Sequence, residues 1–313
     1  MMKVFVTGAT GLLGKAIVEK LVKDGYETKS LVHATAIDKN DPMSKTEIVW
    51  GNLLNESDHE DYLKTCDAVV HCAWNFSRSN DIKEYEKTNI KPALSLMRAA
   101  KQLDINKFIT ISSVSVYGLE PADNGKAFDE NSEFCSYDDA MDVYPRAKQK
   151  CEIEMSKLAK EIGMELVIIR PGLLYSDEVP PVKKSIKGKV SLFAGFGQNH
   201  LPYIHVDSVA NLVEKVLEDK SENDVEIYNA VPAHSDTARA VYKRWKSENV
   251  SSAKAIYLPS YGFKMLALAP YFIKKALKKN ASRPNAEYQT KTGTRNVQYS
   301  AEKAEKKYNW LGY

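Results

Sequence analysis

Val4-Phe5-Val6-Thr7-Gly8-Ala9-Thr10-Gly11-Leu12-Leu13-Gly14 decides how the rest of the chain is read. A short apolar strand pattern runs into three closely spaced glycines. A helical pattern follows, with Ile17, Val18, Leu21 and Val22 on one face. A strand that enters a helix through glycines lets the backbone approach a diphosphate. The helix N-terminus then offers it unpaired N–H groups and the positive end of its dipole. Gly8, Thr10, Gly11, Leu12 and Leu13 are therefore candidate contacts to a pyrophosphate, with Gly14 closing the turn. The spacing Gly-x-x-Gly-x-x-Gly is one residue longer than the commonest dinucleotide fingerprint. A glycine triplet alone also fits a tight strand–helix turn without ligand, so its meaning depends on its surroundings.

Those surroundings alternate. Strands are expected at 3–7, 29–33, 47–50, 68–72, 107–112, 166–170 and 226–230, and helices over 14–24, 85–103, 143–162 and 206–218. Pro92 predicts a kink or break in the second helix. Short apolar strands separated by helices predict an α/β fold, a doubly wound parallel Rossmann sheet covered on both faces. Residues 1–170, with 205–232 returning, read as an NAD(P)-binding Rossmann domain. Residues 171–204, rich in Pro and Gly, and 233–313, mostly helical in pattern, read as a smaller C-terminal substrate lobe.

Composition excludes several classes. The 313 residues are 43% apolar and 27% charged, ordinary for a globular protein. A net charge of +3 is too small to argue for nucleic acid. Cys66, Cys72, Cys135 and Cys151 form no CxxC pair, and no His/Cys cluster has zinc spacing. Free thiols, no metal and a cytoplasmic location are expected. The first strand leaves no room for a signal peptide, and no apolar run is long enough for stable membrane insertion. The stretch 261–279 is apolar and then basic, ending in Lys274, Lys275, Lys278 and Lys279. It is expected to pack its apolar face into the lobe with its lysines in water. A membrane-surface segment is the alternative.

Tyr144 and Lys148 stand at i and i+4 and share a helix face. A free phenol, with a pKa near ~10, is a poor base at neutral pH. A neighbouring ammonium favours the phenolate. Tyr144 can then exchange a proton with a substrate oxygen, while Lys148 also reaches a nicotinamide ribose. Ser113 follows a buried strand and can orient the same oxygen. Tyr-x-x-x-Lys means little alone in a chain with 17 tyrosines. Its weight comes from following Ser113 and a nucleotide turn. At the end of the second strand stands His33, with Lys29 nearby and no carboxylate. That slightly favours NADP over NAD, with His33 as neighbour of the 2′-phosphate. His205 is expected to brace the loop before the helix at 206–218.

These segments together resemble the extended short-chain dehydrogenase/reductases, the group of NAD(P)-dependent nucleotide-sugar epimerases, dehydratases and related reductases. The likeness runs nearly end to end. Thr7 to Gly14 looks like the cofactor turn, and Gly51-Asn52-Leu53 stands where that family has Gly-Asp-Leu beside adenine. Val69-Val70-His71-Cys72-Ala73 looks like the strand whose end lines the cofactor, and Asn89 is similar to the family's helix asparagine. Ile111 to Gly118 matches the segment with the catalytic serine, selecting Ser113, and Tyr144 with Lys148 matches the catalytic pair. Ile169-Arg170-Pro171-Gly172, Ile204-His205-Val206-Asp207 and the run from Tyr299 to Trp310 look like later signatures.

The resemblance implies cofactor contacts at Asn52, Leu53, Ala73, Asn89 and Pro171 besides the turn, His33, Tyr144 and Lys148. Asn52 departs from the family's acid, and Trp74 stands where many members have a smaller residue. Trp74 either narrows the substrate pocket or packs beneath the loop. Arg78 and Arg170 are the arginines nearest the expected substrate region, either for a diphosphate or in structural ion pairs. The first expected reaction is epimerisation or dehydration of a nucleotide sugar. The second is reduction of a ketone or aldehyde, including steroid-like or flavonoid-like carbonyls. A third reading is a dinucleotide sensor without catalysis, which would not need Ser113, Tyr144 and Lys148. The partner is a small molecule, and a homodimer is compatible with each reading.

Overall fold

Successive residues of the first strand, β1 (Lys3–Thr7), enter opposite cores. Val4 and Val6 belong to one apolar cluster and Phe5 to another. This is the two-residue period of a strand covered on both faces. The computed structural model describes residues 2–35, 37, 42–76, 81–120, 126–138, 140, 142–178, 190–221, 223–247, 254–278 and 284–313. After β1 come α1 (Leu12–Lys23), β2 (Glu27–Val32), β3 (Glu47–Trp50), α2 (His59–Leu63) and β4 (Ala68–His71). Next are α3 (Ile82–Tyr85), a π-helical turn (Glu86–Ile90), α4 (Lys91–Gln102), β5 (Lys107–Ile111) and α5 (Val143–Ile162). Then follow β6 (Glu165–Pro171), β7 (Leu173–Tyr175), β8 (Val190–Ala194), β9 (Tyr203–His205), α6 (Val206–Glu218) and β10 (Val225–Ala230). The chain continues through α7 (Ala238–Ser247), β11 (Lys254–Leu258), α8 (Ser260–Ala276), α9 (Ala286–Thr292) and α10 (Glu302–Tyr308).

Seven strands form one parallel sheet in the order β10-β6-β5-β4-β1-β2-β3. On one face α1 buries Leu13, Ile17, Val18 and Leu21 against Val209, Leu212, Val213 and Val216 of α6. On the other, Leu96, Met97 and Ala100 of α4 meet Met155, Leu158 and Ala159 of α5 above Phe5 and Phe108. Truncating such a core side chain, Phe5→Ala for example, should cost about 3–5 kcal/mol. From β1 the chain steps outward to β2 and β3, then crosses to β4 on the other side of β1. The crevice at the carboxyl ends of β1 and β4 is thus a topological switch point, where open α/β sheets bind ligands. His205 caps α6, its side chain accepting from the Asp207 N–H at 3.2 Å.

Pro92 has the expected effect. It sits in the first turn of α4 and offers no N–H to the Thr88 carbonyl, and the wider turn Glu86–Ile90 lies just before it. Three expectations change. First, 233–313 contains a strand: β11 pairs in parallel with β8, beside a second small sheet of β7 with β9. Five residues with one pairing neighbour leave little periodicity to read. Second, the end of the chain does not all belong with the lobe residues. Ala304 and Trp310 lie in the same core as Val4 and Ile17. Third, the stretch 261–279 forms a helix, α8, but does not turn its apolar face inward. No described residue of α8 is buried, and Tyr261, Met265, Leu266, Phe272 and Ile273 are exposed. The helix rests on α9, β8 and β11 through a strip that includes Phe263, Ala267 and Tyr271, and a two-stranded sheet is too narrow to cover the rest. Lys279 lies outside the described residues.

Candidate active site

Gly8 ends β1 at φ +67°, a left-handed conformation that favours glycine. A Cβ there would lie 2.6 Å from the Ala73 nitrogen. At Gly14 a Cβ would lie 2.1 Å from the Gly8 carbonyl oxygen, so α1 can approach β1 this closely only without a side chain. Gly11 starts α1 with no side-chain cap, and its N–H donates to the Gly8 carbonyl at 2.9 Å. The first amides of α1 are therefore left to an acceptor in the crevice. Across the switch point Thr7 Oγ1 shares a hydrogen bond with His71 Nδ1 at 2.9 Å and accepts from the Ala73 N–H at 3.3 Å. Burial pushes the His71 pKa down to about 3, so this joint is neutral.

The crevice opens into a cavity of about 930 Å³. Ser113, Tyr144 and Lys148 line it beside the glycine turn. β5 delivers Ser113, whose hydroxyl accepts from the Ser115 N–H at 3.2 Å. α5 delivers the other two, and its start is fixed by Asp142, whose carboxylate accepts from the Tyr144 N–H at 3.1 Å. Nothing in the preceding sequence reading had marked Asp142, though an Asp just before a helix is a capping signal.

The charge state differs from the expectation. Burial pushes the Tyr144 phenol up to about 12, offset in part by a hydrogen bond with Ser113. Lys148 Nζ lies 6.0 Å from the centre of the Tyr144 ring and spends its hydrogen bond elsewhere. Its Nζ donates to the Ile111 carbonyl at 2.8 Å and lies 3.5 Å from the centre of the Trp74 ring. Burial brings its pKa down to about 8. Phe76 stacks on Tyr144 at 5.6 Å and Trp74 meets it edge-on at 6.0 Å. Trp74 lines the cavity and packs against the core beneath α4 and α5. Its Nε1 has no partner among the described residues.

Asn89 holds that loop. Its Oδ1 accepts from the Asn75 N–H at 2.6 Å, and its Nδ2 donates to the Asn75 carbonyl at 3.2 Å.

The sequence pattern of the NAD dependent epimerase/dehydratase family matches residues 4–230. The chain belongs to that family. It is an NAD(P)-dependent enzyme by that membership. It is 29% identical over 234 residues to a UDP-glucose 4-epimerase of Vibrio cholerae, covering 71% of this chain and 69% of that one. It is 27% identical over 262 residues to a decarboxylating sterol-4-alpha-carboxylate 3-dehydrogenase of Dictyostelium discoideum, covering 81% and 79%. Among solved structures, the UDP-glucose 4-epimerase of Thermotoga maritima with UDP-glucose superposes with a TM-score of 0.75 at 18% identity, over 99% of this chain and 94% of that one. The Thermus thermophilus UDP-glucose 4-epimerase complex with NAD gives 0.72 at 20%, over 99% and 93%. At such identities these likenesses show the fold.

Within this epimerase/dehydratase-family chain the cavity gathers Gly8, Thr10, Gly11, Leu12, Leu13, His33, Asn52, Leu53, Ala73, Trp74, Asn89 and Pro171 with the trio above. Asn52 spends its Oδ1 on the Leu54 N–H at 3.0 Å. Lys29 does not reach the crevice; its Nζ donates to the Lys64 carbonyl at 3.2 Å and pairs with Glu47 at 3.4 Å. Arg170 is a correction. It is 2% exposed and lies outside the cavity lining. Its Nη2 meets Glu152 at 2.6 Å and its Nη1 donates to the Tyr117 hydroxyl at 2.6 Å. Ser112 also donates to Glu152. A guanidinium near the end of a buried strand has to be paired, and α5 supplies the carboxylate. Arg78 lies outside the described residues. The sequence reading missed Phe76, His200, Tyr288, Arg295 and Tyr299, which also line the cavity. They come from irregular segments and from α9, where no motif marks direction. Among the described residues no helix is long and apolar enough to cross a membrane.

Proposed function

We propose that this protein moves a hydride at a carbinol or carbonyl carbon, with Tyr144 as the acid/base. The supporting observation is that Ser113, Tyr144 and Lys148 converge on the cavity that the glycine turn opens. The crevice fits a dinucleotide: Gly8 and Gly14 leave no room for side chains, and the first amides of α1 are uncapped. The turn from Gly8 to Leu13 would hold the pyrophosphate, Leu53, Ala73 and Pro171 would flank the rings, and Lys148 would hold the ribose. Asn89 is a positioning residue through Asn75. When bound, the nicotinamide supplies or accepts the hydride. Ser113 orients the substrate oxygen, and Tyr144 passes the proton to or from it. A phenol held near 12 is an acid at neutral pH, which suits protonation of a carbonyl oxygen being reduced.

The walls favour a reductase of an apolar ketone or aldehyde over a nucleotide-sugar epimerase. Trp74, Phe76, Val297, Leu201, Tyr288 and Tyr299 form an apolar, aromatic surface. A nucleotide diphosphate needs cations, yet among the described arginines Arg170 is withdrawn and Arg295 is bound to Glu120 at 3.0 Å. Relatives include a putative dihydroflavonol 4-reductase of Synechocystis as well as the epimerases. The epimerase reading keeps the support of the Vibrio relative. NADP is the favoured cofactor through His33 alone, which lines the cavity. Leu201, Pro202, Tyr288 and Thr292, from the expected lobe segments, would close the substrate side.

Oxidation of NADPH or NADH with a panel of apolar ketones and aldehydes tests the reading, beside product analysis with UDP-glucose. Consumption of reduced cofactor with a carbonyl is expected. Conversion of UDP-glucose to its 4-epimer without net cofactor turnover would overturn the substrate assignment. Calorimetry in which NAD binds more tightly than NADP would overturn the His33 assignment.

A further inference from the structure

We propose that α8 binds the surface of an anionic membrane. Half of the helix circumference is apolar and turned outward. Tyr261, Met265, Ala269, Phe272 and Ala276 form one row, with Leu266, Ile273 and Leu277 beside it. The large side chains are well exposed, with Tyr261 at 75%, Phe272 at 56% and Ile273 at 59%. A surface helix normally turns this half toward a core. Here the opposite half faces the protein, through the strip with Phe263, Ala267 and Tyr271.

Charge identifies the occupant. Residues 260–278 contain Lys264, Lys274, Lys275 and Lys278 and no Asp or Glu. At a helical spacing Lys264 and Lys275 border one side of the apolar half, and Lys274 is exposed in the last turn, in line with Phe263 and Ala267. Lys278 follows the last turn. Lys264 is paired with Glu287 of α9 at 3.5 Å, the carboxylate contributed from that neighbour. An apolar face edged by lysines, with Tyr261 at its start, matches a helix lying in the headgroup region. A second copy of this helix would bring lysines and apolar surface but no carboxylate. Anionic headgroups supply that missing charge. The contact is peripheral, since α8 has 17 residues and contains Pro270. α8 packs on α9, which puts Tyr288 and Thr292 into the cavity wall. Membrane contact therefore places lipid beside the element that lines the cleft. The proposal stands whichever reaction the cleft performs.

Flotation of the full chain with vesicles tests it. Vesicles of phosphatidylcholine with phosphatidylglycerol should carry the protein upward, and phosphatidylcholine alone should carry much less. Each lysine near an anionic surface contributes roughly five-fold in partition, so Lys274→Glu with Lys275→Glu should reduce binding by well over ten-fold. Raised salt should act in the same direction. Phe272→Asp with Ile273→Asp should abolish binding, while melting and calorimetric cofactor binding stay unchanged because both side chains are in solvent. Wild-type protein that remains at the bottom of the gradient with anionic vesicles overturns the proposal. So does undiminished binding of either double variant. A concentration-dependent dimer lost in Phe272→Asp, with no vesicle binding, would assign the face to a second copy instead.

Discussion

α5 and α8 are helices of 20 and 17 residues with opposite habits. α5 draws Tyr144, Lys148 and Glu152, a row at i, i+4 and i+8, toward the interior. α8 turns its apolar half outward. Polarity alone would have reversed both. What differs is the neighbouring layer. α5 lies on a seven-stranded sheet, where Ile111, Ser112, Trp74 and Arg170 provide partners for each polar group. α8 lies on two short strands and the side of α9, which cover only part of its circumference. Buried polar groups are tolerated when each is satisfied, and exposed apolar groups mark a surface that expects company.

The sharpest way to break this contrast is at the first member of the α5 row. Tyr144→Phe removes one oxygen and should lower turnover by on the order of 10²–10⁴ with cofactor binding retained. Wild-type rates in that variant would remove the mechanism and revive the sensor reading. The third member is a stability test. Arg170→Met leaves Glu152 buried without its partner and should cost about 3–5 kcal/mol in denaturant unfolding. A loss of substrate affinity without loss of stability would return Arg170 to the cleft.

Lys148 gives a pH signature. Its pKa falls from an unfolded value near ~10.4 to about 8. Between those values the unfolded chain binds the extra proton, so stability rises with pH across that window and the full penalty of burying the ammonium applies below it. Lys148→Met should flatten this rise in thermal melts taken from pH 7 to 10, and should weaken cofactor binding. On α8 the expected effect is the smallest. Phe272→Ser should change stability by no more than about 0.5 kcal/mol. A larger loss would mean that the outward face is packed after all.

Legibility followed the same contrast. The strands of the seven-stranded sheet and helices α1, α4, α5 and α6 could be read because both faces of that sheet are covered and each had to carry a core pattern, whereas α2, β7, β8 and β9 in the same span were not read. The glycine turn, Ser113, Tyr144 and Lys148 were legible because backbone approach and helical spacing leave few alternatives. Arg170 was misplaced because strand alternation gives a face and not a partner, and Glu152 sits on a distant helix. The inward face of α8 was wrong because an apolar period reports that a face needs cover without saying what supplies it. Phe76, Tyr288 and Tyr299 had no signal, since their direction is set by tertiary packing around irregular chain.

The ammonium over the Trp74 ring gives the cleft an optical reporter of its own. The chain has four tryptophans. Trp50 is in solvent, and Trp245 and Trp310 are buried in separate cores. Among the described residues Trp74 is the one that lines the cavity, with a titrating group on its face. Indole emission responds to a nearby charge and to the polarity around the ring. Fluorescence should therefore shift as Lys148 loses its proton near pH 8 and again when the crevice fills. Trp74→Phe should erase both changes while leaving the emission of the other three in place, so occupancy of the cleft can be followed without any label.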